Sequence, residues 1–131
     1  MKKIAILASG SGSNAENIIK YFSSNNEVEV PFVISNRKEV YVHERCKKLS
    51  VPSYFFSKVD FENGVVTKFL LDNKIDLVVL AGFLLKIPND MLDAYPNMII
   101  NIHPSLIPSF CGGGYYGQRV HQAVIDSGVK I

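Results

Sequence analysis

Ile4-Ala5-Ile6-Leu7-Ala8-Ser9-Gly10-Ser11-Gly12-Ser13-Asn14-Ala15 opens the chain and decides its architecture. Ile4–Ala8 is apolar without alternation, the pattern of a strand covered on both faces, so Lys3–Ala8 reads as a buried first strand of a parallel sheet. Gly10–Asn14 reads as a glycine-rich turn. Ala15, Ile18, Ile19 and Phe22 then recur at helical spacing over Ala15–Ser23. Strand, glycine turn and helix in this order begin a βαβ unit.

The same alternation continues along the chain. Val28–Ser35 reads as a strand whose Pro31 cannot donate to a ladder, which places it near an edge or at a bulge. Val40–Leu49 is a helix and Val51–Phe56 a short strand. Phe61–Leu71 is a helix with Asp60 as its N-cap. Ile75–Ala81 is a strand, followed by a loop over Gly82–Ile87. Pro88 suits the first position of a short helix ending near Ala94. Met98–His103 is a fifth strand, Pro104–Gly117 a long loop, and Gln118–Ser127 a last helix. Strands alternating with helices imply an α/β fold: a Rossmann-like parallel sheet with helices on both faces. Residues 1–131 read as one domain. Val129-Lys130-Ile131 look like the start of a further strand, so the expectation is a domain whose C-terminal end is missing.

Composition bounds the function. The 131 residues are 47% hydrophobic and 20% charged, ordinary for a globular domain and unlike a disordered chain. Lys and Arg number 14 against 12 Asp and Glu, a net of +2, too balanced for a dedicated nucleic-acid or anionic-membrane binder. No apolar run approaches the roughly 18 residues of a membrane span. The run after Met1-Lys2-Lys3 is too short for a signal peptide. Cys46 and Cys111 lack metal-ligand spacing and are too few for a disulfide framework. His43, His121 and His103 are likewise unclustered, so no metal site is expected. A cytoplasmic protein with free thiols and small-molecule ligands is the reading; oligomeric state is not legible.

Two polar constellations stand out. In the turn, backbone N–H groups at a helix start point at an anion, and Ser11, Ser13 and Asn14 add side-chain donors. The turn formally matches the dinucleotide pattern G-x-G-x-x-A. That pattern expects an acidic residue at the end of the second strand, where this chain has Ser35-Asn36-Arg37; Arg37 suits a 2′-phosphate, so an NADP-binding oxidoreductase module stays open. The alternatives are a cradle for a phosphate monoester, in an enzyme or in a non-catalytic binding domain, and a plain tight turn. The second constellation is Asn101-Ile102-His103-Pro104. Residues i and i+2 of a strand share a face, so Asn101 and His103 project together at the carboxyl end of the sheet, where ligands bind in open α/β folds. An amide and an imidazole side by side suit a reaction through a tetrahedral oxyanion.

Gly12-Ser13-Asn14, Leu80-Ala81-Gly82-Phe83 and Asn101-Ile102-His103-Pro104-Ser105-Leu106-Ile107-Pro108 together resemble the phosphoribosylglycinamide formyltransferase family. The resemblance runs across nearly the whole chain. It implies direct attack of the glycinamide ribonucleotide amine on the formyl carbon of 10-formyltetrahydrofolate, in purine biosynthesis. It also implies that Gly12, Ser13 and Asn14 bind the substrate phosphate and that Asn101 and His103 are catalytic. Leu84, Leu85, Lys86 and Ile87 would line the folate pocket. The family's third catalytic residue is an Asp on a loop past Ile131, and none of Asp60, Asp72, Asp76, Asp90, Asp93 or Asp126 stands in its place. The Ser109–Gly117 loop departs from the shorter loop of many members and reads either as a surface loop or as a flap over the substrate. His43 reads as a surface histidine, and Lys38, Arg45, Lys47 and Lys48 as a solvated helix face.

Overall fold

Five parallel strands and five helices form the part of the chain that the computed structural model describes, residues 1–102. In chain order they are β1 (Lys2–Leu7), α1 (Ser13–Phe22), β2 (Val28–Ser35), α2 (Tyr41–Lys48), β3 (Ser53–Phe55), α3 (Lys58–Glu62), α4 (Val65–Asp72), β4 (Leu77–Ala81), α5 (Asn89–Ala94) and β5 (Ile99–Ile102). The sheet order is β3-β2-β1-β4-β5. The chain therefore winds outward in one direction from β1, returns to its other side at β4, and leaves the switch point between β1 and β4, where open α/β sheets bind ligands.

The apolar run of β1 is buried on both faces. Ala5 and Leu7 face one layer with Phe61, Val66, Leu70 and Met91, from α3, α4 and α5. Ile4, Ile6 and Ala8 face the other with Ala15, Ile19, Val42 and Cys46, from α1 and α2. Burial of this kind stabilises by roughly 25 cal/mol per Å² of apolar surface.

Pro31 sits at an irregularity of the ladder. Lys3 pairs with Glu29 but Ala5 pairs with Phe32, so two residues of β2, Val30 and Pro31, oppose the single residue Ile4. On its other side β2 is paired with β3 only from Val33 onward, so Pro31 needs no N–H there. Both halves of the expectation hold at one residue.

Three expected boundaries shift. The helix expected over Phe61–Leu71 is two helices, separated at Gly64, which has φ 87°. Asp60 is not the N-cap. Ser57 is, because its extended backbone leaves its hydroxyl free to accept from the Asp60 N–H at 3.2 Å while Asp60 Oδ2 accepts from the Ser57 N–H at 3.0 Å. Pro88 is the N-cap of α5 rather than its first residue, with ψ 154° and a carbonyl that accepts from the Met91 N–H at 3.1 Å. Pro104–Gly117, Gln118–Ser127 and Val129–Ile131 lie outside the described residues, with His103, Cys111 and His121.

Candidate active site

The glycine-rich turn leaves β1 and enters α1 through Gly12, whose φ of 79° is left-handed. Two constraints meet there. The backbone conformation favours glycine, and a Cβ at this position would lie 2.4 Å from Val42 Cγ2. The Gly12 carbonyl accepts the first helical hydrogen bond, from the Glu16 N–H at 2.8 Å. α1 has no side-chain cap on its first N–H groups. Ala15, the last position of the glycine pattern, is 1% exposed and packs the helix onto the sheet. A cavity of about 160 Å³ opens over the turn, lined by Gly10, Ser11, Gly12, Ser13 and Asn14 and by Ala81 and Gly82 at the end of β4. The three residues expected to bind phosphate thus line one cavity at the switch point.

The turn is held from α2. Arg45 Nε donates to the Ser11 carbonyl at 2.6 Å, and its Nη1 donates to Glu16 Oε1 at 2.6 Å. Glu16 also pairs with Lys20 at 2.7 Å. The Lys20 ammonium and then the Arg45 guanidinium hold the Glu16 carboxyl below its ordinary range. The guanidinium lies 4.8 Å from the centre of the Tyr41 ring. Arg45 is therefore a brace for the turn and not part of a solvated face. His43 is likewise more than a surface residue. It is half-buried, with Nε2 3.0 Å from the Arg37 carbonyl and Nδ1 2.8 Å from Ser53 Oγ. In the neutral ring the carbonyl takes the Nε2 proton and Nδ1 accepts from the serine.

Leu84–Ile87 leave β4 through Gly82, at φ 74°. Leu85, Lys86 and Ile87 line a second cavity of about 230 Å³, with Lys58, Phe61, Glu62, Pro88 and Asn89. Leu84 is not among its walls and is 77% exposed. Phe83 packs on Phe61 with ring centres 5.1 Å apart, which seats the loop on α3. The lining is apolar at Phe61, Leu85, Ile87 and Pro88 and charged at Lys58, Glu62 and Lys86.

Asn101 pairs with Leu80 in the ladder, and Ile102 with Ala81. Asn101 is thus the last residue but one of β5, beside the end of β4. Asn14 and Ile102 line a common groove with Asn17, Ile18, Tyr21 and Phe22, which brings the start of α1 next to the end of β5. The expected pairing of Asn101 with His103 falls partly outside the described residues. Sequence reading missed Ser9, Val42 and Arg45, whose side chains hold or crowd the turn from inside or from another helix. Among the described residues no cluster of metal-ligating side chains occurs, and no helix is long and apolar enough to cross a membrane.

A doubly wound sheet with a glycine-rich turn lining a cavity at its switch point defines a class of small-molecule α/β domains. Within it, the formyl transferase family profile matches residues 2–131, and this chain belongs to that family. It is 36% identical over 136 residues to the chloroplastic phosphoribosylglycinamide formyltransferase of Arabidopsis thaliana, covering 98% of this chain and 47% of that protein. The corresponding protein of Bacillus subtilis is 33% identical, covering 100% of this chain and 70% of that one. The crystal structure of phosphoribosylglycinamide formyltransferase from Streptococcus pneumoniae superposes with a TM-score of 0.69 at 41% identity, over 79% of this chain and 57% of that one. The chain thus spans about half the length of the Arabidopsis relative.

Proposed function

We propose that this protein takes part in purine biosynthesis as a phosphoribosylglycinamide formyltransferase. The amine of glycinamide ribonucleotide attacks the formyl carbon of 10-formyltetrahydrofolate. A carbon–nitrogen bond forms to the amine, the bond to the folate nitrogen breaks, and the amine proton ends on that nitrogen. No acyl-enzyme is needed. Gly12, Ser13 and Asn14 bind the ribonucleotide phosphate, and Leu85, Lys86 and Ile87 hold the folate, with Leu84 leading into that loop. Asn101 donates to the tetrahedral oxyanion, and His103 donates to it and assists the proton transfer.

The observation that carries this reading is the cavity shared by the Gly10–Asn14 turn and Gly82. Its lining by Ser11, Ser13 and Asn14, beside the Gly82 that leads into the loop assigned to the donor, supports binding of the phosphate there. Calorimetric titration of the chain with glycinamide ribonucleotide, with NADPH in parallel, tests it. Binding of the ribonucleotide alone is expected. Binding of NADPH without the ribonucleotide overturns the reading in favour of a dinucleotide module.

A further inference from the structure

Ser9 is a polar residue in an apolar place. It directly follows Ala8 and is 1% exposed. Its hydroxyl donates to Asn36 Oδ1 at 2.6 Å and accepts from the Leu84 N–H at 2.8 Å. Its own N–H donates to the Gly82 carbonyl at 3.2 Å. One side chain therefore joins the segments that follow β2, β1 and β4. Burying a hydroxyl is unfavourable unless its bonds are made, and alanine would pack the same space without that requirement. Asn36 takes the hydroxyl proton, which aims a Ser9 lone pair at Leu84, the first residue of the loop assigned to the donor. On its other side Ser9 is covalently next to Gly10, the first residue of the phosphate turn.

We propose that Ser9 is a positioning residue that sets the 84–87 loop against the phosphate turn and couples their occupancy. A ligand that orders the turn orders Ser9, and through it Leu84, so each ligand strengthens the binding of the other by the same factor. The inference rests on the assignment of these loops to the two substrates of one reaction.

The test compares the chain with its Ser9→Ala and Asn36→Ala variants. It reads amide hydrogen exchange at Leu84, and titrations of glycinamide ribonucleotide and tetrahydrofolate, each alone and with the other present. In Ser9→Ala the Leu84 amide is expected to exchange about tenfold faster, the size of one lost buried hydrogen bond, with the amides of β1 and β4 unchanged. The mutual strengthening of the two ligands falls, while each alone binds nearly as before. Asn36→Ala, at a half-buried position, removes only the acceptor and gives a smaller change confined to the same amide; it carries the test if Ser9→Ala does not fold. Faster exchange throughout the sheet, with both single affinities weakened alike, overturns the proposal, because a merely structural serine behaves that way. Unchanged coupling in Ser9→Ala overturns it while leaving the functional reading intact. A wild-type chain that binds neither ligand overturns that reading and this inference with it.

Discussion

Val42 occupies the space that a side chain at Gly12 would need: a Cβ there would lie 2.4 Å from Val42 Cγ2 and 2.7 Å from Val42 Cβ. The second helix thus reaches over the first turn and fixes its shape from above. Gly12→Ala suffers twice, from a left-handed backbone and from overpacking, and is expected to cost about 2–5 kcal/mol. Val42→Ala in the same chain removes only the Cγ2 contact and leaves the 2.7 Å approach to Cβ, so the double variant is expected to regain part of the loss in urea unfolding, the unrecovered part being the left-handed backbone and the remaining Cβ contact.

Arg45 ties the Ser11 carbonyl to Glu16. Arg45→Met keeps an unbranched apolar stem and removes both bonds together with the guanidinium contact on Tyr41. Affinity for glycinamide ribonucleotide is expected to fall about tenfold, through a looser turn, with little change in melting temperature. Glu16 adds an acid signature. Its folded carboxyl titrates below the ordinary 4.5, so its contribution is complete above that value and is lost as pH falls beneath it. Glu16→Gln is expected to flatten the acid limb of a stability profile, measured from about pH 6 downward, below the ordinary carboxyl value of 4.5.

Asn101→Ala removes the donor assigned to the oxyanion. In the complete enzyme kcat is expected to fall by about 3–4 kcal/mol of barrier, with KM for both substrates nearly unchanged. Steady-state kinetics read the split. A change mainly in KM would move Asn101 from the reaction to substrate binding.

Among the described residues, two buried groups titrate above their ordinary alkaline values. Burial pushes the Cys46 thiol up to about 11, and burial together with the nearby Asp76 carboxylate pushes the Tyr95 phenol up to about 12. Both are held in their neutral forms when folded. Their contribution is full below the ordinary values of 9.0 and 10.0 and is lost as pH rises through the folded ones. Denaturation midpoints are expected to fall across that window. In a Cys111→Ser background, a thiol reagent at pH 8 is expected to label Cys46 only after unfolding.

The sheet was legible because its strands are continuous apolar runs that periodicity reads directly, as in Ile4–Ala8. Pro31 announced a local irregularity because a missing N–H is a property of the residue itself. The split at Gly64 was not legible, because glycine inside an apolar helical pattern can equally continue the helix, and only the left-handed φ decides. The glycine-rich turn was legible as a string of glycine and hydroxyl residues. The braces on it were not. Arg45 sits 34 residues from Ser11, and nothing in a run of basic residues says which one turns inward. Ser9 was passed over for the opposite reason: beside Ser11 and Ser13 it looks like one more polar turn residue, and burial alone distinguishes it.

The bulge in β2 also bears on how this chain can change length. Val30 and Pro31 together do the work of one ladder position opposite Ile4. Loss of either would leave Glu29 opposite Lys3 and Phe32 opposite Ala5, so every side chain would keep its layer. One residue removed between Phe32 and Ile34 would instead exchange inner and outer layers along the strand. A single-residue deletion in β2 is therefore absorbed at Val30–Pro31, where the ladder already carries one residue more than its partner strand.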